Sequence, residues 1–229
     1  EEARRMRGLL FASVSHDLRS PLNAILGFSD LINDTQLSDS QKESLSVIKE
    51  RAREFLTLIQ TILDAARVEA GQLVLQRQTV NLDECVYDAT RVVRRCSDES
   101  CAPIMTEINL AIPPLSLDRE RMADAIAALL RHAVRTAERM VTIRADVTPS
   151  QREVIVDIEV PTHSTTAEEI SKIIRSDGAL SRFAGGLTLG LSLARSVVVL
   201  HGGDVQVIDS SWGIVVRVRL PLNGDSKQE

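Results

Sequence analysis

The chain has 229 residues, 44% apolar, 26% charged and only 3% aromatic, with a formal net charge of −5. That length suits one or two domains, and the apolar share excludes a disordered chain. Residues 1–75 hold nine Lys/Arg against eleven Asp/Glu and the rest holds eighteen against twenty-one, so no basic face points to nucleic acid or an anionic membrane as a partner.

Residues 3–33 read as one long helix. Phe11, Val14, Leu18, Leu22, Ile25 and Ile32 follow alternating steps of three and four, with Ser29 as the single polar interruption. Residues 39–70 read as a second helix, seamed by Leu45, Ile48, Ala52, Phe55, Ile59, Ile62 and Ala66. Each would be roughly 45 Å long at about 1.5 Å per residue. The link Asn33–Ser38 is short and polar, Ser38 and Gln41 form a capping box, and Gly71 is placed to stop the second helix. Such a hairpin cannot bury both of its seams alone, so a homodimeric four-helix bundle is expected.

After Gly71 the texture changes. Leu73–Leu75 and Thr79-Val80 read as strand, 83–96 as helix, and Ile104–Leu110 as strand. Residues 118–138 form a helix with Met122, Ile126, Leu129, Leu130 and Ala133 on one side. Val141–Val147 and Glu153–Val160 alternate as a hairpin around Pro149-Ser150. Residues 167–175 and 189–200 read as helices, and Val205–Ile208 with Ile214–Leu220 as a final hairpin. The fold class is α+β: a helical hairpin over 1–73, then helices layered on a mixed sheet over 74–224.

Three cysteines (Cys85, Cys96 and Cys101) form no C-x-x-C pair, so neither a disulfide scaffold nor a metal site is expected, and a reducing, cytoplasmic setting is favoured. No apolar run is long enough to cross a membrane and no signal peptide is visible. The opening Glu1-Glu2-Ala3-Arg4-Arg5, without Met, reads as the interior of a longer protein. Of eleven glycines, none lies between 72 and 177, so a phosphate cradle built on close backbone approach is not expected there.

The most informative stretch is Phe11–Asn23. His16 stands two residues from Val14 and from Leu18, off the seam, where an exposed imidazole can act as a nucleophile. Asp17 beside it can orient the ring and take its other proton. Pro21 inside a periodic helix costs about 3 kcal/mol, which suggests a kink retained for function.

Ser15-His16-Asp17-Leu18-Arg19-Ser20-Pro21-Leu22-Asn23 resembles the phosphoacceptor box of bacterial sensor histidine kinases, and Ile62–Gly71 resembles the end of the same dimerisation and phosphotransfer domain. The resemblance implies that His16 carries the phosphoryl group, that Asp17 aids its transfer and that Arg19 supplies a nearby positive charge. Ser20 stands where relatives carry Thr or Asn to position water, and Asn23 closes the box. A response-regulator receiver domain is the implied partner, with Leu22, Ile25 and Leu26 as docking candidates. A partner kinase is a further possible contact.

The second half resembles the family's ATP-binding α/β sandwich. Asp118–Ala137 resembles the helix bearing the magnesium-binding Asn, Gly185–Ala194 the second glycine box, and His201-Gly202-Gly203 the turn that follows. The implied pocket residues are His132, Arg135, Gly186, Gly190 and Leu191. Three positions depart from the pattern. His132 stands in place of Asn, and a neutral imidazole is a poor ligand for Mg²⁺. Val160–Ser164 stands where D-x-G-x-G would read adenine, with Asp157 and Glu159 as the nearest carboxylates if the correspondence shifts. Thr188 replaces a middle glycine, and the lid segment between Arg175 and Gly185 is short. The expectation is a degenerate histidine kinase that relays phosphate through His16, with no cofactor. ATP and magnesium belong to an alternative, an active kinase phosphorylating His16. A non-enzymatic docking scaffold is the third reading.

Overall fold

The computed structural model describes residues 2–95, 101–150, 152–175 and 186–222; the side chains of 2–17, Arg95 and 186–188 are not among what it describes. Two compact units divide at Leu73 and Val74.

The first unit is a hairpin of α1 (Glu2–Asn33) and α2 (Asp39–Glu69). Helix α1 runs through Pro21 without interruption. Ser38 caps α2 reciprocally: its Oγ accepts the Gln41 N–H at 3.3 Å, and its own N–H donates to Gln41 Oε1 at 2.9 Å. Gly71 takes φ +66°, the left-handed turn that releases the chain from α2. The buried seam residues of α2 recur every seven positions, as Leu45, Ala52, Ile59 and Ala66. The alternate seam positions Ile48 and Phe55 stay open, as do Ile25 and Ile32 on α1. Ser29, buried between them, donates to the Ile25 carbonyl at 2.7 Å, which satisfies its hydroxyl within the helix.

The second unit is a two-layer α/β sandwich. Strands β1 (Gln78–Val80) and β3 (Leu115–Leu117) pair antiparallel in a small ribbon. Five strands make the main sheet: β2 (Ile104–Ile108), β4 (Val141–Val147), β5 (Glu153–Val160), β6 (Asp204–Ser210) and β7 (Gly213–Pro221). Their order is β2-β4-β5-β7-β6; β2 runs parallel to β4 and every other pair is antiparallel. The helices are α3 (Leu82–Arg95), α4 (Arg119–Thr136), α5 (Ala167–Ile174) and α6 (Gly186–Leu200).

Strict alternation sends Val154, Val156, Ile158 and Val160 of β5, with Ile214, Val216, Val218 and Leu220 of β7, into the core. The expected apolar side of α4, from Met122 to Ala133, is buried as well. The other sheet face carries cross-strand ion pairs. Arg217 clamps Asp157 through two bonds of 2.8 and 2.7 Å, and Arg144 reaches Glu107 at 2.6 Å and Glu159 at 2.5 Å.

One expectation about the start of this unit needs correction. Leu73–Leu75 is not a strand: Val74 is 82% exposed and the ladder starts only at Gln78. The partner that makes Gln78–Val80 a strand is Leu115–Leu117, three residues too short to show a periodicity of their own. Here the chain is fastened by side chains. Asp118, capping α4, accepts the Gln76 N–H at 2.8 Å and the Arg121 N–H at 3.1 Å. Its own N–H donates to buried His201 Nε2 at 3.0 Å. That bond leaves the ring proton on His201 Nδ1, which donates to the Val197 carbonyl at 2.7 Å.

Candidate functional site

Helix α1 sets His16, Arg19, Ser20 and Asn23 at i, i+3, i+4 and i+7, the spacing of a single helical face. The side chains of His16 and Asp17 lie outside the described residues. Arg19, Ser20 and Asn23 are exposed. Arg19 also reaches across the hairpin, its Nη2 donating to Gln60 Oε1 at 2.5 Å. Gln60 Nε2 donates to Asp64 Oδ2 at 2.9 Å, and Arg67 Nη1 lies 3.3 Å from Asp64 Oδ1. Asp64 is 3% exposed. Gln60 was not anticipated from sequence. The available signal was the polar pair Gln60 and Asp64, one turn apart in a stretch of α2 whose only other polar residue is Thr61. Of the docking candidates, Ile25 is open while Leu22 and Leu26 are half-buried.

In the second unit, His132 and Arg135 lie one turn apart on α4. Both ring nitrogens of His132 are shielded from solvent and have no hydrogen-bond partner among the described residues. Burial lowers the pKa of this histidine and favours the neutral imidazole. Arg135 is exposed. Gly186 opens α6 and Gly190 follows within its first turns. A Cβ at Gly190 would meet the Ala128 Cβ at 3.7 Å, an ordinary contact, so packing alone does not demand a glycine. The side chain of Leu191 is 2% exposed and belongs to the core. The Thr188 side chain and the expected lid between Arg175 and Gly185 lie outside the described residues.

The stretch after β5 is explicit. Val160 is 1% exposed and points to the core side. Asp157 and Glu159 point to the opposite face, where Arg217 and Arg144 engage them. Moving the correspondence by one residue therefore selects the wrong face of the strand, and moving it back by two selects Ile158. Beyond the strand, buried Thr162 shares a hydrogen bond with Ser164 at 3.0 Å, and the His163 N–H donates to Glu138 Oε1 at 2.9 Å. Gly213, at φ +153°, lets β7 pass under this turn; a Cβ there would stand 2.2 Å from the Val160 carbonyl oxygen.

Comparison with known proteins agrees with both units. The family model described as the His Kinase A (phospho-acceptor) domain matches residues 6–71, and the model of the histidine kinase-, DNA gyrase B- and HSP90-like ATPase matches 117–224. The chain belongs to the sensor histidine kinase family. It is similar to the histidine protein kinase DivJ of Caulobacter vibrioides, 33% identical over 228 residues that make up 94% of this chain and 37% of that protein. It is also similar to the sensor protein GacS of Pseudomonas syringae, 27% identical over 100% of this chain and 26% of the relative. The chain thus spans well under half the length of these curated relatives. Among solved structures, full-length ShkA in complex with AMPPNP shares the fold at a TM-score of 0.72 and 20% identity, over 94% of this chain and 46% of that one. The Acinetobacter baumannii histidine kinase AdeS does so at 0.61 and 19% identity, over 91% of this chain and 98% of that one. Among the described residues, no helix is long and apolar enough to cross a membrane.

Proposed function

We propose that this chain is a homodimeric phosphotransfer element of two-component signalling. In this reading His16 exchanges phosphate with a receiver-domain aspartate, and the ATPase-type unit has lost most of its affinity for nucleotide. The observation that carries the reading is Val160. It fills the position implied for the adenine-reading carboxylate with a 1% exposed isopropyl group, and the nearest carboxylates are committed to arginines on the far side of the sheet. A buried amino group without its acceptor costs on the order of 1–3 kcal/mol. The metal position points the same way. His132 offers nitrogen where Mg²⁺ prefers oxygen, so the residues present do not fit a magnesium nucleotide.

The phosphotransfer half rests on the retained box. A nitrogen of the His16 imidazole attacks the phosphorus of an aspartyl phosphate, the P–O bond to the aspartate breaks as the P–N bond forms, and the carboxylate leaves. Asp17 takes the proton from the other ring nitrogen. Dimerisation rests on the open seam positions Ile25, Ile32, Ile48 and Phe55, which a second hairpin would cover as a four-helix bundle.

Two labelled donors test the proposal. Radioactive ATP with magnesium is expected to leave the chain unlabelled, whereas a receiver domain phosphorylated on its aspartate is expected to label His16. Label from ATP that disappears in His16→Ala overturns the weakened nucleotide site and leaves an ATP-driven kinase. No label from either donor leaves a docking scaffold.

A further inference from the structure

Helix α2 carries a polar chain that ends on the acceptor face of α1. Asp64 is nearly sealed from solvent, yet it is a carboxylate in a stretch where Leu63, Ala65 and Ala66 are also buried. A buried carboxylate is costly unless donors surround it. Arg67 donates from one turn away, and Gln60 Nε2 donates from the other side at 2.9 Å. An ionised carboxylate only accepts, so Asp64 dictates the orientation of the Gln60 amide: its NH₂ must face Asp64, and its carbonyl oxygen must then face α1. The group it meets there is the guanidinium of Arg19, one turn beyond His16 on the same helical face.

We propose that Gln60 is a positioning residue for phosphate transfer at His16, oriented by Asp64 so that its carbonyl oxygen holds the Arg19 guanidinium beside the acceptor histidine. This rests on the reading of His16 given above. With either amide orientation allowed, Gln60 could turn its NH₂ towards Arg19, where two donors would face each other and the arginine would swing away. Asp64 removes that choice through its bond to the Gln60 amide. A held guanidinium costs less ordering when a phosphoryl group arrives, because its rotamer freedom is already spent.

The test uses the full chain and potassium phosphoramidate, whose P–N bond resembles the one to be formed. The bond to ammonia breaks as the bond to the imidazole forms, and the ring proton leaves with ammonia as ammonium. The rate of phosphohistidine formation is read for Gln60→Leu, Asp64→Asn, Gln60→Glu and the pair Gln60→Glu/Asp64→Asn, each with its melting temperature. Gln60→Leu is expected to slow labelling by about tenfold with little change in melting, since a misplaced charge costs this order in rate. Asp64→Asn frees the amide and slows it less. Gln60→Glu alone sets two carboxylates together. In the pair the new amide at 64 donates to the new carboxylate at 60, so the bond between the two positions is reversed, position 60 still accepts from Arg19, and the rate is regained. A swapped pair as slow as Gln60→Leu, or Gln60→Leu as fast as wild type, overturns the positioning role. A wild-type chain that takes no label at His16 overturns the reading of His16, and the positioning role with it.

Discussion

The two units settle their apolar surface in opposite ways. In the α/β unit, Met122, Leu130, Ile143 and Ile158 are fully buried, and the exposed sheet face is tiled with arginine–carboxylate pairs. Along the seam of α2 the hairpin buries only every seventh residue, with Leu63 to Ala65 added near the end of the helix, and leaves Phe55 47% and Ile25 45% exposed. Their chemistry is divided the same way. The hairpin carries the acceptor box, with Ser20 where relatives carry Thr or Asn, and ties its Arg19 to a buried carboxylate through Gln60. The α/β unit has the core-facing Val160 where the family resemblance puts an adenine-reading carboxylate, and His132 where it puts a magnesium-binding Asn. A sandwich core needs volume and strand parity and does not need its ligand readers, so a fold of this kind can outlast its chemistry. A two-helix hairpin has no such independence, because half of its seam needs a second molecule.

That contrast can be broken by experiment. The largest effect is expected from Phe55→Glu, which places a charge in the open seam. Sedimentation should then show monomers at concentrations where the wild-type chain is dimeric, and an unchanged dimer would mean that the open seam is not the interface. Next comes Val160→Asp, a carboxylate introduced on the core face of β5. It should cost about 4 kcal/mol in urea unfolding of the α/β unit, because the charge has no donor at that position. Little loss of stability, with ATP binding appearing, would show that the pocket needed only its acceptor.

The smallest effect concerns pH. Burial is the first cause of the lowered pKa of both His132 and His201; for His201 the Val197 carbonyl opposes it, the nearby Arg77 adds to it, and Asp118 opposes it least. The unfolded chain takes up protons near the ordinary value of 6.5 that the folded chain refuses. The stability of the α/β unit should therefore be level above that pH and fall as the pH drops through it, by at most about 1.4 kcal/mol per pH unit for each histidine. His201→Gln should flatten the slope, and a slope unchanged by that substitution would assign it to other groups.

Periodicity alone located both long helices, the bounds of β4 and β5 and the buried side of α4, because step sizes of two and of 3.6 are written directly into where apolar residues fall. The capping box at Ser38 was equally legible, since its partners are three residues apart. Leu73–Leu75 was misread because an apolar triplet looks like a strand until a ladder partner is required, and the partner of the real strand lies some 37 positions further on at Leu115–Leu117. The acceptor face of α1 could be placed from spacing, but Gln60 could not, because nothing local says that residue 60 of one helix stands level with residue 19 of another.

The residues at positions 16–23 and 160 by themselves carry the reading proposed above, because side-chain type decides what can donate, accept or attack: an imidazole on α1 can attack, and an isopropyl group at 160 cannot accept a hydrogen bond. Tertiary structure alone decided that Val160 faces the core while Asp157 and Glu159 face away, and that Arg19 meets an amide held by a buried carboxylate. Strand parity and helix register assign faces only once elements distant in sequence have packed, and sequence spacing carries no information about which partner each face will meet.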